Sequence, residues 1–145
     1  MLKTFIYTAL LFSLLLISSA VKSHDYATPE DAVNAYIQAV KTGSGELVKM
    51  AFQASASIQY YNQEGEFKQF TREEFANAVN TGNEWDASIN ITSVRKSGFA
   101  ANATVEFVWG KQQQHAYTDY LNIIYDGKSW HISDKVAQYK SLKDN

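Results

Sequence analysis

Apolar and polar positions alternate with two different periods along this chain, and the change between them divides it into a helical part and a sheet part. From Ala32 to Val40 the apolar residues Ala32, Val33, Tyr36, Ile37, Ala39 and Val40 recur at three and four positions, the spacing of one helix face. Thr28-Pro29-Glu30-Asp31 precedes them with a capping hydroxyl, a proline at the first helical position and acids in the first turn, so a helix is expected to about Lys41. Gly43-Ser44-Gly45 breaks it, and a second short helix is expected from Glu46 to Phe52 with Leu47, Val48, Ala51 and Phe52 inward. Ser55 to Tyr61 alternates as a strand with Ala56, Ile58 and Tyr60 on one side, Gly65 marks a turn, and Phe67 to Phe70 forms a short returning strand. Thr71-Arg72-Glu73-Glu74 then has the capping-box spacing, which opens a third helix carrying Phe75, Ala76 and Val79 and ending near Gly82.

Beyond Trp85 the period becomes two. Ile89 and Ile91 alternate with Ser88, Asn90 and Thr92, and Arg95-Lys96-Ser97-Gly98 turns the chain. Ala101, Ala103, Val105, Phe107 and Trp109 share the face of the next strand, and Lys111 to His115 is a polar loop. Tyr117, Asp119, Leu121, Ile123 and Tyr125 share the face of another, and Asp126-Gly127 turns into a last strand whose regular alternation places Trp130, Ile132, Asp134 and Val136 together. Three helices followed by long antiparallel strands make an α+β domain, with the helices segregated on one face of a curved antiparallel sheet.

The first residues stand apart from this pattern. Lys3 precedes an apolar run from Phe5 to Ile17, and Ser18-Ser19-Ala20 and Ser23 offer small residues for cleavage, so residues 1–23 read as an export signal. The run is shorter than the ~20 residues that span a bilayer, so no stable membrane insertion is expected once it is cleaved. Residues 24–145 then form one domain, periplasmic or secreted. Lys3 and Lys22 leave with the signal, taking the formal charge from -2 to about -4. Dispersed basic residues on an acidic chain argue against nucleic acid as a partner. The absence of cysteine removes disulfides, thiolate nucleophiles and thiolate metal sites.

Pro29-Glu30-Asp31-Ala32-Val33 with Tyr36 and Ile37, the segment Gly65-Glu66-Phe67-Lys68-Gln69-Phe70-Thr71-Arg72-Glu73-Glu74-Phe75, and Asp126-Gly127-Lys128-Ser129-Trp130-His131-Ile132 together resemble the nuclear transport factor 2-like superfamily, in its putative lumazine-binding, SnoaL-like branch. The resemblance covers nearly all of residues 24–145. It implies a cone formed by a strongly bent sheet closed by helices, often dimeric through the outer sheet face. Such proteins include ketosteroid isomerases, polyketide cyclases, dehydratases and pocket proteins without chemistry, so the branch name does not by itself establish lumazine as a ligand.

Asp119 is the sharpest candidate for chemistry, because it stands among apolar neighbours on an inward face, where desolvation disfavours its ionised form and suits an acid or base. A buried pair with a tyrosine is the structural alternative. Tyr36, Tyr60, Tyr117 and Leu121 are the expected pocket residues, the rings giving apolar area and the hydroxyls orientation. His131 could relay a proton with Asp119, although strand parity can equally send the two to opposite faces. His24, His115 and His131 show no metal-ligand spacing, no serine has a nucleophile-elbow setting, and no cofactor motif is present. Glu30, Asp31, Glu73 and Glu74 are accounted for by helix starts. Asn90-Ile91-Thr92 and Asn102-Ala103-Thr104 match glycosylation acceptors. The favoured reading is an exported protein that binds a small apolar or aromatic molecule, or serves an accessory role, without turnover. Its alternatives are an isomerase- or dehydratase-like enzyme using Asp119 and a homodimeric interaction module.

Overall fold

The computed structural model describes residues 25–143, so the expected export signal and His24 lie outside the described residues. The helices are α1 (Pro29–Thr42), α2 (Gly45–Ala51) and α3 (Arg72–Val79). The strands are β1 (Phe52–Tyr61), β2 (Phe67–Thr71), β3 (Ala87–Ser97), β4 (Ala100–Trp109), β5 (His115–Tyr125) and β6 (Trp130–Ser141).

Each helix begins where the local chemistry favours it. At α1 the Thr28 hydroxyl accepts from Asp31 N, and the Asp31 carboxylate accepts from Thr28 N in return. Thr71 and Glu74 repeat the arrangement at α3. Gly43 ends α1 at φ 67°, a left-handed conformation, and a Cβ there would lie 2.7 Å from the Asn83 carbonyl oxygen. Phe52, expected as the last inward residue of α2, is instead the first residue of β1, though it is fully buried as anticipated. α3 stops at Val79, short of Gly82, and the Asn80 side chain that follows accepts from Gly45 N, tying this end to the start of α2.

The strands form a single open sheet in the order β2-β1-β6-β5-β4-β3. The neighbouring strands joined by hairpins pair antiparallel, as do β1 and β2, whereas β1 runs parallel to β6. That parallel pair needs a crossover, which the whole path from β2 through β5 supplies. At the β5–β6 turn the Asp126 carboxylate accepts from Lys128 N and Ser129 N while Gly127 adopts φ 98°. The core lies between the helices and the inward face of the sheet, with Val33, Tyr36, Phe52, Ile58, Val105, Phe107, Leu121 and Ile132 nearly or wholly excluded from solvent.

One irregularity in β6 changes which residues face that core. Ile132 pairs with Ile123, but Asp134 pairs with Asn122, so Ser133 is an extra residue on the β6 side. Such a bulge interrupts the alternation. Trp130 and Ile132 face inward as expected, but after the bulge Lys135 and Ala137 are buried and Val136 is half exposed. The expected inward positions of Asp134 and Val136 are therefore corrected to Lys135 and Ala137.

Candidate functional site

The parity of β5 puts Tyr117, Asp119 and Leu121 on the inward face, and Asp119 is only 1% exposed. A charge so placed requires a partner, because desolvating an unpaired carboxylate is strongly unfavourable. β6 provides one across the sheet: Lys135, whose Cα partner is Leu121, sends its ammonium to 2.7 Å from Asp119 Oδ2. Tyr36 comes from α1 to the same oxygen, its hydroxyl donating over 2.6 Å. The ring closes because Lys135 Nζ also donates to the Tyr36 hydroxyl oxygen at 2.9 Å. Asp119 Oδ1 has no hydrogen-bond partner among the described residues. Burial, followed by the charge and hydrogen bond of Asp119, holds the Tyr36 hydroxyl well above the ordinary tyrosine range, so it remains a protonated donor.

Above this triad lies a pocket of about 260 Å³ between α3 and the sheet. Phe75, Ala78 and Val79 supply the helical wall, and Tyr60, Phe70, Tyr117, Lys135 and Ala137 the strand wall. Tyr60 meets Tyr117 edge to face at a centroid distance of 6.1 Å, and Trp109 stacks behind Tyr117 at 5.5 Å, fixing the ring that borders the cavity. Among the described residues Lys135 is the one charged residue in this lining, and its ammonium lies 5.1 Å from the Phe75 ring centroid and 5.3 Å from that of Tyr36. Burial, reinforced by the nearby Tyr60 and Asp119, pushes the Tyr117 hydroxyl up to about 12. The pocket therefore combines an apolar, aromatic wall with one cation held in place from below.

The expected site residues divide on this geometry. Tyr60 and Tyr117 border the pocket. Tyr36 and Leu121, 2% and 1% exposed, lie in the core beneath it, and Asp119 reaches it only through Lys135. His131 does not meet Asp119: its Nδ1 lies 3.2 Å from the Met50 carbonyl oxygen and its Nε2 3.2 Å from Asp126 Oδ2. Its neighbour Trp130 points inward, so alternation sends the imidazole to the other side. His115 pairs through Nδ1 with the Tyr139 hydroxyl at 2.8 Å. Lys135 is the residue that sequence reasoning missed, because regular alternation from Trp130 places it on the outer face. The available signal was charge, since an inward aspartate calls for a cation and Lys135 precedes the small apolar pair Val136-Ala137.

Residues 24–138 match the family model described as putative lumazine-binding. No curated protein matches the chain. Among solved structures it is similar to an NTF2-like protein of unknown function from Silicibacter pomeroyi DSS-3, with 25% identity and a TM-score of 0.67, over 77% of this chain and 92% of that one. An NTF2-like protein of unknown function from Methylobacillus flagellatus KT is 23% identical with a TM-score of 0.64, over 78% and 90% of the two chains. A ketosteroid isomerase-like protein from Erwinia carotovora atroseptica shares the fold at 16% identity and a TM-score of 0.62, over 79% and 95%. The helices packed on one face of the bent six-stranded sheet are the cone-shaped architecture of these neighbours. With most of its length matched by one family model and the fold shared throughout, the chain belongs to the putative lumazine-binding family of NTF2-like proteins.

Proposed function

We propose that this protein binds a small, largely apolar aromatic molecule in the pocket between α3 and the sheet, without covalent turnover. The observation that carries the reading is the lining itself: four aromatic rings, Tyr60, Phe70, Phe75 and Tyr117, around about 260 Å³, with a single cation at Lys135. Ligand sites are mostly apolar with a few convergent polar groups, and this volume is just below the usual range of ~300–1,000 Å³, which suits a one- or two-ring compound. The burial of Asp119 beneath Lys135, with one carboxylate oxygen already engaged twice, supports a positioning role for it and weighs against the acid/base alternative. Lumazine, named in the family description, is a planar two-ring compound of fitting size and is the first ligand to titrate.

The same reading includes export through residues 1–23 and self-association through the outer face of the sheet. The exposed Tyr120 and Val136, which are direct cross-strand partners, support the second part. Titration of the purified protein with lumazine and with methyl naphthyl ketone, followed by tryptophan fluorescence and calorimetry, tests the pocket. Saturable binding of either compound that is weakened by Tyr117→Ala is expected, because Trp109 stacks on Tyr117 beside the cavity. No saturable response from either compound overturns the reading. Cell fractionation with and without residues 1–23 tests export.

A further inference from the structure

The triad beneath the pocket specifies more about the ligand than the aromatic wall does. An ammonium carries three N–H donors. Lys135 spends one on Asp119 Oδ2 and one on the Tyr36 hydroxyl oxygen. Of its surroundings, the Phe75 ring 5.1 Å away offers only a π face to the remaining donor. Lys135 also lines the cavity, so the third N–H is placed to meet what occupies it.

Charge decides which kind of acceptor fits. Asp119 and Lys135 cancel one another, and the other lining residues are uncharged: Tyr117, with its hydroxyl pushed up to about 12, remains protonated at neutral pH. The negative charges of Asp119 and Glu64 are both felt at the Tyr117 hydroxyl. An anionic ligand would therefore add a second negative charge to a desolvated site already holding a carboxylate, where like charges are strongly disfavoured. A cation would meet Lys135 itself. A plain hydrocarbon would leave a buried donor unsatisfied, which costs more than the hydrogen bond would gain. A neutral acceptor satisfies the ammonium and leaves the charge balanced.

We propose that the pocket selects neutral planar rings bearing a carbonyl oxygen, and that this oxygen accepts the third N–H of Lys135. This rests on the pocket reading above and narrows its ligand to aryl ketones, quinone-like rings and neutral ring lactams. Asp119 and Tyr36 are positioning residues: they hold the ammonium and touch no ligand.

Three probes sharing one ring and one site of substitution test it by calorimetry on the full domain: methyl naphthyl ketone, ethylnaphthalene and naphthoate, all β-substituted. The ketone is expected to bind about tenfold or more tightly than ethylnaphthalene, the order of a hydrogen bond to a charged group, and more tightly than naphthoate. In the double variant Lys135→Met with Asp119→Asn, which leaves no unpaired buried charge, the preference for the ketone over ethylnaphthalene is expected to vanish while binding of both persists. Equal affinity of ketone and ethylnaphthalene in the wild type overturns the carbonyl contact. Tightest binding of naphthoate overturns the charge argument. Failure of all three to bind overturns the pocket reading instead.

Discussion

Replacing Lys135 alone by methionine removes a cation from a carboxylate that is 1% exposed, leaving Asp119 with only the Tyr36 hydroxyl. Breaking a buried pair in this way costs about 3–5 kcal/mol, whereas replacing both partners is often close to neutral. Urea unfolding is therefore expected to show a large loss for Lys135→Met and recovery of most of it when Asp119→Asn is added. Equal losses in the single and double variants would mean that the uncompensated charge of Asp119 is not the source of the loss. The tyrosines make a separate prediction at alkaline pH. Tyr117 has a folded value of about 12 against an ordinary 10.0, and Tyr36 is raised well above that same value. Between these values the native state keeps protons that the unfolded chain releases, so the stability they contribute is full below pH 10 and is lost as pH rises toward about 12. Tyr117→Phe should flatten the fall in stability across that interval, as measured by denaturant midpoints at successive pH values.

At the level of elements, α3 supplies much of the pocket wall while burying little of itself. It spans Arg72–Val79 and buries only Ala76 completely, yet it contributes Phe75, Ala78 and Val79 to the cavity. Its start depends on Thr71, whose hydroxyl accepts from Glu74 N while the Glu74 carboxylate accepts from Thr71 N at 2.8 Å. Thr71→Ala is expected to lower stability by about 1 kcal/mol and to weaken binding of a pocket ligand, with hydrogen exchange increasing across α3. Unchanged exchange there would show that contacts with α2, through Asn80 and Gly45, are sufficient. The β6 bulge has the opposite character, since it is a local irregularity that decides a distant contact. With Ser133 accommodated as an extra residue, both the Trp130–Ile132 pair and Lys135 face the core, which a regular strand cannot achieve with this sequence.

Across the whole molecule, the two faces of the sheet have different expected roles, the inner one enclosing the pocket and the outer one carrying Tyr120 and Val136 at about half exposure. Val136→Lys should leave monomer stability within ~0.5 kcal/mol, as is usual for surface substitutions, and, under the self-association proposed for this face, should lower the sedimentation coefficient from that of a dimer to that of a monomer. Identical sedimentation of the two proteins would remove this face from any account of assembly. The sequence by itself determined the features governed by near neighbours. The capping boxes at Thr28 and Thr71, the breaks at Gly43 and Asp126-Gly127, the inward direction of Asp119 and the placing of a two-stranded hairpin between the second and third helices all follow from residues a few positions apart. It also indicated the aromatic supply of the pocket, of which Tyr60 and Tyr117 border the cavity while Tyr36 lies beneath it. Only the tertiary structure decided that β1 lies parallel to β6 and that Lys135 faces inward. It alone joined Tyr36 to Asp119 across 83 residues and to Lys135 across 99. The physical reason is that strand parity is a local rule that one bulge can reverse, and whether a bulge is favourable depends on packing across the whole core. Asp119 could be read as buried from its neighbours, but the cation that balances it depends on how the completed sheet closes around it.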